Sequence, residues 1–120
     1  MAFILVLLPL AIIFIPQLWV RYILKKHDTE LATMPFTGGE FGNKILLDEN
    51  LKGISIGSCV DGDHYDPDKR AIRVNQERLK KKSLTSIVVI CHEIGHAIQD
   101  RDNYEPFIKR LKLIKYSGYI

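Results

Sequence analysis

Cysteine is scarce in this chain. Two of the 120 residues are cysteines, Cys59 and Cys91, and they form no Cys-x-x-Cys pair. That is too few for a disulfide scaffold, so both read as small buried apolar residues in a reducing compartment. A charge excess of one sign is also missing, since 17 basic against 14 acidic side chains leave +3. The locally basic stretch from Lys69 to Lys82 has no interleaved aromatics. Nucleic acid is therefore not an expected partner, and a solvated face or one resting on anionic headgroups accounts for those lysines. No internal repeat or low-complexity tract is present. The length excludes large multidomain machinery, and a body that keeps 39 apolar residues in the hundred after residue 20 excludes a disordered chain.

Charge is absent altogether from residues 1–20, whereas all the acidic and basic side chains follow. The run Ala2–Val20 would make a helix of roughly 28 Å, close to the hydrocarbon thickness of a bilayer. Nothing basic precedes it and no clear A-x-A site follows, so it reads as an uncleaved anchor rather than a signal peptide. Trp19, Arg21, Tyr22, Lys25 and Lys26 crowd its C-terminal end as a headgroup belt, and the basic residues there favour a single-pass anchor with a cytoplasmic body. Pro9 and Pro16 would weaken or kink the helix. Residues 1–26 form the anchor with its basic flank, and residues 27–120 form the domain it carries.

Within that body, residues 27–36 read as a polar linker. Thr37-Gly-Gly-Glu40 has the capping-box pattern and should open a helix of about three turns ending near Asn50. Ile54–Cys59 and Ala71–Asn75 alternate like two paired strands, with Asp61–Pro67 a turn by composition. Asn75 can cap a short helix through Lys82, and Ser83 a longer one from Leu84 to about Asp100. The longer helix is apolar nearly all round and should be buried. Tyr104–Ile120 is basic and amphipathic, and its apolar side has no obvious cover, which makes a homo-oligomer plausible on composition.

The buried helix contains His92-Glu93-Ile94-Gly95-His96, an H-E-x-x-H pattern. On an α-helix His92 and His96 stand one turn apart on one face, so both imidazoles can reach a single Zn²⁺, with Glu93 beside its open position. Glu93 would take a proton from the attacking water and pass it to the leaving amine, a task for which aspartate is too short and glutamine cannot carry the proton. Charged and imidazole groups inside an apolar helix are costly unless paired or ligated. Gly95 costs ~1 kcal/mol relative to alanine in a helix, so close approach by a neighbouring element is its expected reason. His64 could be a third ligand or an oxyanion donor, or could simply hold its own turn together with Tyr65. Asp102, six residues after His96, stands at a ligand offset used in one zincin group, although Gln99 replaces the glycine of that pattern. Glu105 lies nearby.

His64-Tyr-Asp-Pro67, Ala71-Ile-Arg-Val74 and His92-Glu-Ile-Gly-His-Ala-Ile-Gln99, with Tyr104-Glu-Pro106 after them, resemble the bacterial membrane-anchored neutral zinc metallopeptidase family, often called YugP-like. The Thr37-Gly-x-Glu40 helix start and the apolar N-terminus fit the same likeness. The resemblance implies zinc on His92 and His96, Glu93 as catalytic base, and a peptide or unfolded-protein substrate pairing with the strand Ala71–Asn75. It also implies a third ligand, a glutamate on a helix well downstream among further membrane segments, which suggests a C-terminally truncated chain or a partner chain that supplies the ligand. The expected fold is α+β: a zincin-like half-domain with a small antiparallel sheet and a buried HExxH helix behind a transmembrane helix. The expected function is a membrane-anchored zinc metallopeptidase. The alternative is a truncated, catalytically silent zinc-binding protein, tethered to the membrane in an interaction or structural role.

Overall fold

Helix caps set most of the element boundaries. In a computed structural model describing residues 1–117, the elements run α1 (Ala2–Lys26), α2 (Gly38–Asp48), β1 (Ser55–Ser58), β2 (His64–Asp66), β3 (Ala71–Val74), α3 (Gln76–Lys80), α4 (Leu84–Arg101) and α5 (Glu105–Tyr116). The hydroxyl of Thr37 accepts from the Glu40 amide at 3.2 Å, Asn75 from Glu77 at 2.9 Å, and Ser83 from Ser86 at 3.1 Å. Each cap satisfies an amide that has no partner within its helix. The α2, α3 and α4 starts are thus where the cap residues put them, although α3 ends at Lys80, short of the expected Lys82. Helix α1 runs through both Pro9 and Pro16, buries no residue, and is long and apolar enough to cross a membrane. The last three residues of the Tyr104–Ile120 segment lie outside the described residues.

The expected antiparallel sheet is corrected to a mixed one. The segment read as a turn contains β2, and the strand order is β1-β3-β2. β2 pairs antiparallel with β3, Tyr65 opposite Ile72, while β1 pairs parallel with β3, Ile56 opposite Ile72. An inserted strand reverses the chain twice between β1 and β3, so those two must run the same way. The β2–β3 turn is closed by Asp66, whose Oδ1 accepts from the Asp68 and Lys69 amides. β3 is therefore central, with Ala71, Ile72 and Val74 buried.

Ile72, Val74, Ile90, Ile94 and Ala97 form the innermost core, with Leu46, Leu51, Tyr65 and Phe107 around them. Helix α2 packs closely on α3 and α4 because it presents glycine: a Cβ at Gly38 would press into the Arg78 carbonyl oxygen. Gly95 is different. A Cβ there would meet nothing within 4 Å, so the expected close neighbour is absent among the described residues.

The expectation that α4 is buried all round is corrected too. Thr85, Ser86, Ile90, Glu93, Ile94 and Ala97 are buried, but Leu84, Val88, Cys91 and His92 are exposed. Among the described residues, elements pack on one side of this helix and Cys91 falls on the other; Cys59 is half-buried.

Candidate metal centre

The middle of α4 carries the chemistry. One turn separates His92 from His96, and their Nε2 atoms stand 3.2 Å apart. Two Zn–N bonds of 2.0–2.1 Å spanning that gap would subtend roughly 100–105°, close to the tetrahedral angle. The donor set therefore fits two positions around one metal ion. His96 is held from two sides: its ring stacks on Phe107 at 5.2 Å between centroids and 14° between planes, and its Nδ1–H donates to Gln99 Oε1 at 3.1 Å. That bond leaves the Nε2 lone pair facing His92, which is how an orienting partner prepares a ligand histidine. Gln99 does this because it lies one turn further along α4 on the same face.

Glu93 points inward and is 6% exposed. Burial pushes its carboxyl above the usual carboxylate range; the His92 and His96 imidazoles oppose this, nearby Asp63 adds to it, and His64 lowers it. A carboxyl raised in this way beside two imidazoles suits a group that must both accept and release a proton.

These three residues line a cleft of about 320 Å³ whose other walls include Asp63, His64, Tyr65, Phe107 and Arg110. β2 supplies His64 and Tyr65, and α5 supplies Phe107 and Arg110. His64 Nδ1–H donates to the Gly62 carbonyl at 2.9 Å, which leaves Nε2 as the free ring nitrogen. Beneath the strand, the Tyr65 hydroxyl donates to Asp100 at 2.7 Å, and burial with that bond raises its pKa far above the usual value. β2 is thereby fixed against α4.

Of the residues singled out by sequence, the fold brings His92, Glu93, His96 and His64 to one cleft and leaves Asp102 outside it. Asp102 caps the C-terminus of α4, where Arg101 binds its carboxylate at 2.8 and 3.3 Å and holds it below the usual range. Six residues beyond His96 is about two-thirds of a turn out of phase at 3.6 residues per turn, so the side chain leaves the metal face. Among the described residues, no three His, Cys, Asp or Glu side chains are arranged to hold one metal ion.

Three contributors escaped the sequence reading. Asp63 accepts from Arg78 Nε at 2.7 Å and from the Asn75 amide at 2.9 Å, pinning the loop before His64. Gln99 was visible by its spacing from His96. Phe107 showed only as one apolar position among several on α5.

A paired-imidazole helix with an inward glutamate, beside a small sheet and behind an apolar helix, makes up the candidate metal centre. Family comparison bears on the class: the model described as "Putative neutral zinc metallopeptidase" matches residues 2–119, and the chain belongs to that family. It is 32% identical over 108 residues to a protein of Bacillus subtilis (strain 168) named "Putative membrane protease YugP", a match covering 87% of this chain. The chain spans about half, 47%, of that relative's length. No solved structure matches it significantly.

Proposed function

We propose that this chain is a zincin-like, membrane-anchored zinc metallopeptidase centre in which His92 and His96 hold the metal and Glu93 is the general base. The facing Nε2 atoms at 3.2 Å carry this reading. Bound there, zinc supplies Lewis acidity, polarising the scissile carbonyl and bringing water's pKa toward neutrality. Glu93 accepts the water proton on a carboxylate oxygen and delivers it to the leaving amine. His64, with Nε2 free in the same cleft, is assigned the part of donor to the developing oxyanion rather than of metal ligand, since no three metal-ligating side chains cluster among the described residues.

An extended peptide cannot pair with β3, whose two edges are taken by β1 and β2. The substrate is therefore assigned to the outer edge of β2, next to His64. Residues 1–26 span the bilayer, and Arg21, Lys25 and Lys26 at the end of α1 keep residues 27–117 on the cytoplasmic side.

The test is cleavage of unfolded casein by the full chain in detergent with zinc. The account expects cutting that o-phenanthroline stops, and a Glu93→Gln variant that keeps zinc without cutting. Equal background from both proteins refutes it. That result would favour a catalytically silent, membrane-tethered zinc-binding protein, the reading supported by the lack of a third clustered ligand among the described residues.

A further inference from the structure

Helix α5 forms one wall of the metal cleft. Phe107, Arg110, Leu111 and Ile114 line it, and their i, i+3, i+4, i+7 spacing puts all four on one face of the helix. Three of them are apolar, and Phe107 stacks on His96. A single guanidinium stands among them.

The other charges around Arg110 already have partners or tasks. On α5, Lys109 pairs with Glu105 at 2.8 Å and Lys115 lies 3.9 Å from Asp68. Lys115 also occupies the last turn, where a cation suits the helix dipole, whereas Arg110 is in mid-helix and serves no such end. Of the two carboxylates lining the cleft, Asp63 is taken by Arg78 and the Asn75 amide, and Glu93 is buried. Among the described residues Arg110 has no acidic partner.

A guanidinium offers its N–H donors in a planar fork that matches a carboxylate, and the apolar side chains beside it suit the methylenes of an acidic residue. At about 320 Å³ the cleft is at the small end of ligand pockets, so only the residues next to the scissile bond meet the α5 wall. We propose that Arg110 is the specificity-determining residue of this centre, selecting peptides that carry a carboxylate within about two residues of the scissile bond. This rests on the peptidase reading above and names its substrate class. The carboxylate belongs to an aspartate or glutamate side chain or to the peptide's own C-terminus, two sources that amidation separates.

The experiment gives the full chain, in detergent with zinc, three acetylated peptides of otherwise identical sequence. One has a central glutamate and an amidated C-terminus, one has glutamine there with the amide, and one has the glutamine with a free C-terminus. A carboxylate peptide should be cut about five- to tenfold more efficiently than the neutral one, chiefly through KM, with its carboxylate at one fixed distance from the cut mapped by mass spectrometry. Whichever carboxylate peptide gains names the source. Arg110→Ala should bring that ratio to about one and Arg110→Lys should keep part of it, while Arg110→Glu should favour a lysine peptide over the glutamate one. Arg110 is exposed, and replacements at such positions change stability little. Equal cutting of the three peptides by the wild type, or a preference that Arg110→Ala keeps, overturns the assignment and leaves the peptidase reading standing. A readout independent of cleavage is fluorescence anisotropy of the same peptides, labelled at the N-terminus, on Glu93→Gln. A carboxylate peptide should bind about five- to tenfold tighter than the neutral one, with the gain shrinking as salt rises and vanishing in Glu93→Gln/Arg110→Ala. Equal binding overturns the assignment. Carboxylate-dependent binding without any cutting by the wild type supports Arg110 as the carboxylate site and removes the peptidase reading alone.

Discussion

Replacing Gln99 by leucine should weaken zinc binding by about 10–100-fold, or roughly 1.4–2.7 kcal/mol, the usual cost of removing the group that orients a ligand histidine. The reasoning comes from His96. Its Nδ1–H is spent on Gln99 Oε1 at 3.1 Å, so the Nε2 lone pair is the one that faces His92. Leucine keeps the volume and the helix propensity but accepts no hydrogen bond. The ring then loses its fixed tautomer, while the Phe107 stack still limits its tilt. The loss should thus fall short of that from His96→Ala, which removes a donor outright. Competition with a chromophoric chelator, using the full chain in detergent, measures all three proteins, and far-ultraviolet circular dichroism checks that they are equally folded. A folded Gln99→Leu variant with wild-type zinc affinity refutes the claim that Gln99 prepares His96.

Glu93→Gln should raise the thermal midpoint of the metal-free protein at neutral pH. Burial lifts the carboxyl's folded pKa above its unfolded value, so ionised Glu93 costs stability once pH rises past the unfolded pKa, and glutamine removes that cost; a lower midpoint contradicts this. Tyr65→Phe should cost about 1.5–3 kcal/mol in chemical denaturation, as for a hydrogen bond to a charged group. Its raised folded pKa stabilises fully below the unfolded value of about 10 and is lost as pH climbs beyond it, so absorbance at 295 nm should show a late-ionising phenol that Tyr65→Phe removes. Gly38→Ala should destabilise by about 1–3 kcal/mol through the Arg78 backbone, while Gly95→Ala, with nothing within 4 Å, should stabilise by about 1 kcal/mol. Denaturant midpoints decide both, and a destabilising Gly95→Ala would show that another element covers that face.

Local signals were legible where one residue type does one job. Thr37, Asn75 and Ser83 announce helix starts because their side chains satisfy bare amides, and the i, i+4 spacing of His92 and His96 announces a shared face. β2 was hidden because His64-Tyr-Asp66 sits among aspartate, glycine and proline, which read as turn. It is a strand because Tyr65 is buried against α4 and bonded to Asp100, 35 residues away. The one-sided burial of α4 was hidden for a related reason: hydrophobicity tells what can be buried, while the number of packed neighbours decides what is. The same holds for the cleft, whose Asp63 and Phe107 walls arise from tertiary contacts with no motif of their own. Asp102 shows a sequence offset read without its turn: it stands at the C-cap of α4, paired with Arg101, away from the paired imidazoles.

The central claim is that two imidazoles of one helix hold a single zinc ion. Zinc-edge X-ray absorption on the loaded full chain, beside His92→Ala and His96→Ala, addresses it directly. The account predicts two imidazole nitrogens at about 2.0–2.1 Å, with imidazole scattering reduced by either substitution. A spectrum without imidazole ligands, or one that neither substitution alters, contradicts it.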